Sequence, residues 1–242
     1  MERTIRPVPM TTPPLYTALL LGATGNVGGC LAQLLIDSPL CRKLVLVTRR
    51  KTGAFAHAKV SEVVVEMDRL AEQLAPHAQG ADIALAAFGV GKGTALLPEE
   101  ELRKIEITYP AEFCRAARAG GARVGAVMTA VGVDPASRVK YLKVIGEKEE
   151  AVRAVGFDFL GLYRPSVILG NANTPDALGH LMRLFNPLTP SKFRAIHKND
   201  IARAMLAQSE QAYGTLVRGE AGATPVVKIL EYREMRVFSG EG

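Results

Sequence analysis

Short apolar runs alternate with amphipathic segments along most of the chain. The apolar runs predict buried strands at 18–21, 43–48, 62–66, 83–88, 124–129 and 159–163. Apolar residues that recur every three or four positions predict helices, at 27–35, 70–76, 99–119, 141–155 and 200–212. Apolar strands separated by helices are typical of a parallel sheet covered on both faces. The pattern therefore predicts an α/β protein with a doubly wound parallel sheet.

The length of 242 residues suits one large domain with short extensions. Residues 1–15 contain four prolines and no hydrophobic period, so we predict a disordered N-terminal arm. The predicted main domain covers 16–213. Within it, segment 171–198 loses the period and gains three prolines. Residues 214–242 are predicted to form a C-terminal strand or tail.

The first predicted strand runs into a glycine-rich turn, LLLGATGNVGG, in which three glycines have GxxGxxG spacing. A strand before the turn and a helix after it are the context in which backbone N–H groups and the helix dipole bind a phosphate. The alternative is an ordinary strand-to-helix turn. The residues predicted to hold the pyrophosphate of a dinucleotide are those of the turn itself: Gly22, Thr24, Gly25, Asn26, Val27 and Gly28.

Two arginines, Arg49 and Arg50, follow the second predicted strand. An acidic residue there would bind the ribose of NAD, whereas a guanidinium suits the 2′-phosphate of NADP. The position favours NADP over NAD, and a solvated basic loop is the alternative. Asp68, after the third strand, either accepts a hydrogen bond from the adenine amino group or caps the next helix.

The fourth predicted strand ends in Phe88 and Gly89, the start of the glycine-rich run FGVGKG. Its backbone is predicted to run along the adenosine ribose and the diphosphate, with a plain loop as the alternative. Further on, Pro110 interrupts the long helix 99–119, so we expect that helix to kink or restart there.

The composition excludes several classes of function. The formal net charge is +6, which could indicate nucleic-acid binding. The basic residues are scattered, however, with no Lys/Arg run longer than Arg49, Arg50 and Lys51, and a small anionic ligand explains the charge as well. Cys30, Cys41 and Cys114 lack metal-site spacing and are predicted to be reduced and structural, with no metal bound. No apolar run approaches the length of a membrane span. We therefore expect a soluble, cytoplasmic protein that binds neither nucleic acid nor membrane.

Six sequence blocks, taken together, resemble the atypical branch of the short-chain dehydrogenase/reductase superfamily, near its Tat-interacting protein and NmrA-like groups. These blocks are GATGNVG, VTRR, FGVGKG, AVMTAVGVD, YLKVIGEKE and YRPSVILGN, within residues 16–213. The resemblance implies a Rossmann fold, bound NADP(H), and often a catalytic Ser, Tyr and Lys. Tyr141 matches the family tyrosine, Thr129 is the hydroxyl nearest to the family serine, and Pro165 to Val167 would lie beside the nicotinamide. The resemblance also implies that 171–198 is the variable, substrate-side segment, and that Asp200 is the aspartate that caps the closing helix.

The chain departs from that pattern four residues after Tyr141, where Ile145 replaces the family lysine. A lysine there would share a helix face with the tyrosine and lower the pKa of its phenol. Lys143 lies about 200° around the helix and Lys148 about 10 Å further along it, so Lys148 would be a poor substitute acting through a water. With an ordinary pKa near 10, the Tyr141 phenol is a weak base that can still donate a proton.

Two functions follow from these residues. The first is an NADP-dependent oxidoreductase in which Tyr141 and Thr129 face the carbonyl of an unknown small-molecule substrate. The second is a catalytically weak or inactive NADP(H)-binding redox sensor that acts through a protein partner, in which Tyr141 only bonds the nicotinamide ribose. The protein could form a homodimer under either hypothesis.

Overall fold

The computed structural model describes residues 14–90, 97–170 and 189–239. Seven parallel strands form the central sheet, in the order β3-β2-β1-β4-β5-β6-β9. They are β1 Tyr16–Leu21, β2 Cys41–Thr48, β3 Val60–Val64, β4 Ile83–Ala86, β5 Val124–Met128, β6 Phe159–Tyr163 and β9 Val226–Leu230. A separate parallel pair consists of β7 Ile168–Leu169 and β8 Ile196–His197. The predicted doubly wound parallel sheet is confirmed.

Helices cover both faces of this sheet. The longer ones are α1 Asn26–Asp37, α2 Leu70–Ala78, α4 Tyr109–Ala119, α5 Lys140–Arg153 and α6 Lys198–Val217. Two helices of one turn or slightly more are α3 Glu99–Arg103 and α7 Tyr232–Arg236. The domain boundary predicted after residue 213 falls inside α6, and β9 pairs with β6 at the edge of the main sheet. The predicted N-terminal arm lies outside the described residues except for 14 and 15.

The sheet separates two hydrophobic cores, because successive strand residues point to opposite faces. In β1, Leu20 faces a core that contains Leu31 of α1 and Met205 of α6. Its neighbour Leu19 faces the other core, with Leu74 of α2. None of the three cysteines forms a disulfide.

The strand order places the candidate site. β1 pairs with β2 on one side and with β4 on the other, so the chain reverses its direction of winding between β1 and β4. In open α/β sheets, ligands bind in the crevice at the carboxyl ends of such a pair of strands. Here that crevice lies between the turn after Leu21 and the loop after Ala86.

The glycine turn after β1 is closely packed backbone. Gly22 has a φ of +96°, and a Cβ built on it would lie 2.4 Å from the carbonyl oxygen of Ala87. A Cβ on Gly28 would lie 2.0 Å from the carbonyl oxygen of Gly22. The Gly25 N–H donates to that same oxygen at 2.9 Å. These contacts hold the ends of β1 and β4 and the start of α1 together, and they leave no room for side chains.

The long helical segment 99–119 restarts near Pro110, as predicted. One wide π-helical turn, Lys104–Thr108, joins α3 to α4, and α4 begins at Tyr109 with Pro110 in its first turn. The wide turn lies just before Pro110, which has no N–H to donate to a carbonyl of the preceding turn and whose ring would crowd that carbonyl in a regular α-helix. The wide turn also carries Glu106, whose side chain is buried.

Glu106 forms a buried ion pair with Lys148 of α5. The Lys148 Nζ lies 3.2 Å from Glu106 Oε2, and the two side chains are 2% and 5% exposed. Lys148 Nζ also donates to the carbonyl oxygen of Phe88 at 3.1 Å. Lys148, considered above as a distant substitute for the missing lysine, is therefore committed to partners inside the protein.

Asp200 does not cap the last long helix, although its resemblance to the family aspartate implied an N-cap. The N-cap of α6 is His197, whose Nδ1 accepts from the Asn199 N–H. Asp200 lies inside the first turn and binds Arg236 at 3.0 Å. The tertiary contact with α7 decides its role.

We expect Gly28→Ala to lower the free energy of unfolding by about 1–3 kcal/mol, because its methyl group would overlap the Gly22 carbonyl. Gly29→Ala is the matched control, since a Cβ there meets only Ala23 at an ordinary 3.4 Å. As a helix-interior replacement it should raise stability by about 0.5–1 kcal/mol. Urea unfolding of both variants measures the difference. Equal stabilities would contradict the packing described for the turn.

We expect Lys148→Met to cost about 3–5 kcal/mol of unfolding free energy, because it leaves the Glu106 carboxylate buried without its cation. The double variant Lys148→Met with Glu106→Gln should recover most of that loss, since the neutral amide can still accept from the Val90 N–H. Lys104→Met, which breaks an exposed pair with Asp68, should change stability little. Denaturant unfolding compares the three. A double variant no more stable than Lys148→Met would show that the unpaired charge is not the cause.

Candidate functional site

Two adjoining clefts open at the carboxyl ends of β1, β2 and β4. The smaller, of 120 Å³, is lined by the glycine turn and by the residues that follow β2. The larger, of 780 Å³, extends between the loop after β4 and the helical segment 97–109. Arg49, Met67 and Phe88 line both clefts. The two clefts are therefore neighbouring parts of one site.

The inner end of the site is built to receive an anion. Helix α1 begins at Asn26, and no side chain accepts a hydrogen bond at its N-cap, Gly25. The first turn contains no acidic residue. Thr24, Gly25 and Asn26 are exposed, whereas the Val27 side chain is buried, so Val27 can offer only its backbone N–H. Free N–H groups at the positive end of a helix bind phosphate groups well.

Arg49 and Arg50 lie at the mouth of the smaller cleft, directly after β2. Both are exposed, and neither forms an ion pair or hydrogen bond with another residue in the described part of the chain. Their guanidinium groups are thus available to a ligand. Such a group can bind a phosphate through two parallel hydrogen bonds.

Asp68, for which the sequence left either an adenine contact or a helix cap open, is bound by residues of the helical segment 97–109. Its Oδ1 accepts from the Tyr109 hydroxyl at 2.8 Å and from Lys104 Nζ at 2.7 Å. The Lys104 ammonium, with the Tyr109 hydroxyl second, holds the pKa of Asp68 below its usual value. Asp68 makes no helix-capping bond. Since it does not line either cleft, the carboxylate is held beside the site by the helical segment.

Met67 is a lining residue that the sequence interpretation missed. It lines both clefts, one position before Asp68. A thioether there can pack against a planar ring, because methionine is flexible and polarizable. The signal available in the sequence was a single apolar residue between two acids, which is too common to identify a site.

The loop after β4 is fixed from its buried side. β4 ends at Ala86, two residues earlier than predicted, and Phe88 and Gly89 line the larger cleft. Glu106 Oε1 accepts from the Val90 N–H at 2.8 Å, while Lys148 binds the Phe88 carbonyl. The next three residues of the predicted run, 91–93, lie outside the described residues. The buried pair therefore holds the backbone on both sides of Gly89.

Tyr141 is the second residue of α5 and is 37% exposed. Its hydroxyl has no hydrogen-bond partner among the described residues. Partial burial, with the nearby Glu106 carboxylate second, raises the pKa of Tyr141 to about 12. At pH 7 only roughly one phenol in 10⁵ is then ionised. Tyr141 can donate a proton and cannot act as a base.

Thr129 belongs to a buried network. Its hydroxyl donates to Glu149 Oε1 at 2.8 Å, and Arg164 binds the two oxygens of that carboxylate at 2.8 and 2.6 Å. Thr129 is only 7% exposed. The network ties the ends of β5 and β6 to α5. In the described structure it does not include the Tyr141 hydroxyl, so the two residues predicted to be catalytic are not joined by a hydrogen bond.

The segment after β6 lies near the same edge of the sheet. The Pro165 carbonyl accepts from the Val131 N–H at 3.0 Å, and Val167 is 38% exposed. The Ser166 hydroxyl donates to the Phe193 carbonyl at 2.9 Å. Ile145 is 1% exposed and packs in the interior. No side chain takes the place of the family lysine at that position.

Within residues 14–90, 97–170 and 189–239, no group of three or more His, Cys, Asp or Glu side chains is arranged to hold a metal ion. No helix in those ranges is both long enough and apolar enough to span a bilayer.

Comparison with curated proteins finds relatives of similar length. HTATIP2 of Rattus norvegicus is 28% identical over 195 residues, which cover 78% of this chain and 79% of that protein. The mitochondrial protein fmp52 of Aspergillus niger is 32% identical over 170 residues, covering 69% of this chain and 72% of the relative. Because the fungal relatives are named mitochondrial, a cytoplasmic location for this chain stays a prediction.

Comparison with solved structures supports the fold. A short chain dehydrogenase from Burkholderia cenocepacia in complex with NADP has a TM-score of 0.63 at 13% identity, covering 95% of this chain and 94% of that one. The Bordetella bronchiseptica enzyme WbmH in complex with NAD+ has a TM-score of 0.61 at 15% identity, covering 89% and 86%. Both are similar in fold alone.

A family model described as NAD(P)H-binding matches residues 22–212, from the first glycine of the turn to the last third of α6. That match spans the glycine turn, the arginine pair, Tyr141 and the segment after β6. The sequence and the strand order agree with it, and the chain belongs to the NAD(P)H-binding family, with the Rossmann fold of the short-chain dehydrogenases.

Proposed function

We propose that this protein binds NADP(H) and uses it to reduce a carbonyl group of a small-molecule substrate. The observation that carries the proposal is the pair Arg49 and Arg50. Both are exposed, have no acidic partner in the described ranges, and lie at the cleft mouth where the adenosine ribose binds in this fold. Family membership supports nucleotide binding, whereas the preference for NADP over NAD rests on these two arginines.

Different residues of the site are proposed to bind different parts of the dinucleotide. The turn Gly22 to Gly28 holds the pyrophosphate through backbone N–H groups, aided by the Thr24 and Asn26 side chains. Met67, Phe88 and Gly89 enclose the adenosine half. Pro165, Ser166 and Val167 lie beside the carboxamide at the other end. Asp68 acts at the rim, with Oδ2 left to accept from the adenine amino group, because Oδ1 binds both Lys104 and Tyr109.

Tyr141 supplies the proton in the proposed reaction. NADPH held in this cleft would supply the hydride for the carbonyl carbon. As the negative charge develops on the carbonyl oxygen, the Tyr141 phenol donates its proton to that oxygen and is later reprotonated from water. We assign no such step to Thr129, since its hydroxyl is already donated to Glu149.

A second candidate is a redox sensor that binds NADP(H), turns over slowly or not at all, and acts through a protein partner or a second copy. Ile145 favours it, because a buried isoleucine can neither hold the ribose nor assist the phenol. The commitment of Lys148 to Glu106 favours it as well. In either case we propose a cytoplasmic protein with no nucleic-acid or membrane partner.

We expect wild-type protein to bind NADPH more tightly than NADH in a calorimetric titration. Arg49→Ala or Arg50→Ala should weaken NADPH binding about ten- to hundredfold, the effect of losing a hydrogen bond between charged groups. NADH binding should change little, because NADH lacks the 2′-phosphate. Lys51→Ala is the matched control, one residue further along and not lining the clefts. Equal affinity of the wild type for both coenzymes would refute the assignment to NADP.

We expect Tyr141→Phe to lower carbonyl reduction roughly 10²- to 10⁴-fold while NADPH binding stays nearly unchanged. Because the pKa of Tyr141 is raised to about 12, its phenol keeps its proton from pH 6 to 10. The contribution of Tyr141 should therefore be constant over that range and fall only at more alkaline pH. NADPH oxidation against a panel of aldehydes and ketones provides the rates. Tight NADPH binding with no turnover on any of them would favour the sensor.

A further inference from the structure

A carboxylate from the neighbouring strand holds the loop that carries the two arginines. Glu62 of β3 accepts the Thr52 N–H at 2.8 Å and the Thr48 hydroxyl at 3.2 Å through Oε1. Its Oε2 accepts the Gly53 N–H at 3.2 Å. The three donors lie on either side of Arg49 and Arg50 in the chain, so one side chain closes the loop from both ends.

These bonds also occupy the carboxylate. Glu62 binds the chain on both sides of Arg49 and Arg50, yet neither arginine has an ion pair in the described structure. Partial burial raises the pKa of Glu62, but the hydrogen bonds from Thr52 and Gly53 outweigh it and leave the pKa below its usual value. Glu62 therefore stays ionised and bound to the loop backbone, and the guanidinium groups stay available.

The loop itself needs such an anchor. Gly53 adopts a φ of +62°, and a Cβ there would meet nothing within 4 Å. Residues 49–53 are exposed and belong to no helix or strand. A loop with so few packing contacts would sample many conformations without the Glu62 bonds. The conformational entropy lost on ordering the loop would then lower the affinity for a ligand.

We infer that Glu62 is a positioning residue that sets the preference for NADPH over NADH, by holding the 48–53 loop so that Arg49 and Arg50 flank the 2′-phosphate. This inference rests on the proposed NADP(H) function. Glu62 lies on β3 and lines neither cleft, so its role in choosing between the two coenzymes would be exerted through the loop.

The direction of the effect separates this role from two others. If Glu62 acted only through its charge, removing it would strengthen NADPH binding, because a negative group near a phosphate repels it. If Glu62 only stabilised the fold, NADPH and NADH binding would weaken by the same factor. Positioning of the loop predicts weaker NADPH binding and unchanged NADH binding.

The test is titration of wild type, Glu62→Ala, Glu62→Gln and Glu72→Ala with each coenzyme. We expect Glu62→Ala to raise the Kd for NADPH about tenfold, the cost of ordering one or two free side chains, with NADH within twofold. Glu62→Gln should lie between, since an amide oxygen can still accept from the loop. Glu72→Ala is the control, because it removes an exposed carboxylate whose partner is Arg69.

Hydrogen exchange of the ligand-free protein gives an independent measurement. The Thr52 and Gly53 amides should exchange faster in Glu62→Ala and at the wild-type rate in Glu72→Ala. Unchanged exchange, or an NADPH to NADH ratio that stays constant or increases, would overturn the inference while leaving the wild-type NADPH preference standing. A wild type without that preference would overturn the proposed cofactor and the role of Glu62 together.

Discussion

The close approach of three backbone segments at the glycine turn is the contact on which the remaining structure depends. The Gly22 carbonyl lies under Gly28 of α1, and Gly22 itself lies against the Ala87 carbonyl at the end of β4. Any side chain at these points would push the first helix away from the sheet. Because the helix starts this close, its free N–H groups face the crevice where the direction of winding reverses. One steric condition thus sets both the packing of the fold and the anion site.

Charged groups in this protein follow two separate arrangements. Inside, Lys148 with Glu106 and Arg164 with Glu149 are paired, because an unpaired ion is costly when removed from water. At the cleft mouth, Arg49 and Arg50 have no acidic partner among the residues that the structure describes. Glu62, which binds the chain on both sides of them, accepts hydrogen bonds from backbone N–H groups and a threonine hydroxyl instead. Interior carboxylates accept from cationic side chains, whereas Glu62 accepts from neutral donors of the loop. The guanidinium groups of Arg49 and Arg50 therefore stay available where an anionic ligand would bind.

The position of one lysine connects the structure to the question of catalysis. In the family pattern a lysine stands four residues after the tyrosine, whereas here Ile145 fills that place and the next lysine on that face, Lys148, is one turn further on. That turn takes its ammonium group into the interior, to Glu106 and the Phe88 carbonyl. The Lys148 ammonium group therefore supports the wall of the cleft and does not assist the Tyr141 phenol. Tyr141 is left protonated, a proton donor and not a base.

The sequence alone determined the alternation of strands and helices, the glycine turn, the arginine pair and the restart at Pro110, because each depends on residues close together in the chain. It did not show that Asp68 and Asp200 are bound by residues of other elements, namely Lys104, Tyr109 and Arg236, instead of capping a helix. Glu106, Lys148, Glu62 and the engagement of Thr129 became visible only in the tertiary structure. A buried charge or an anchored loop is defined by groups that folding brings together from distant positions, and local patterns do not record those distances.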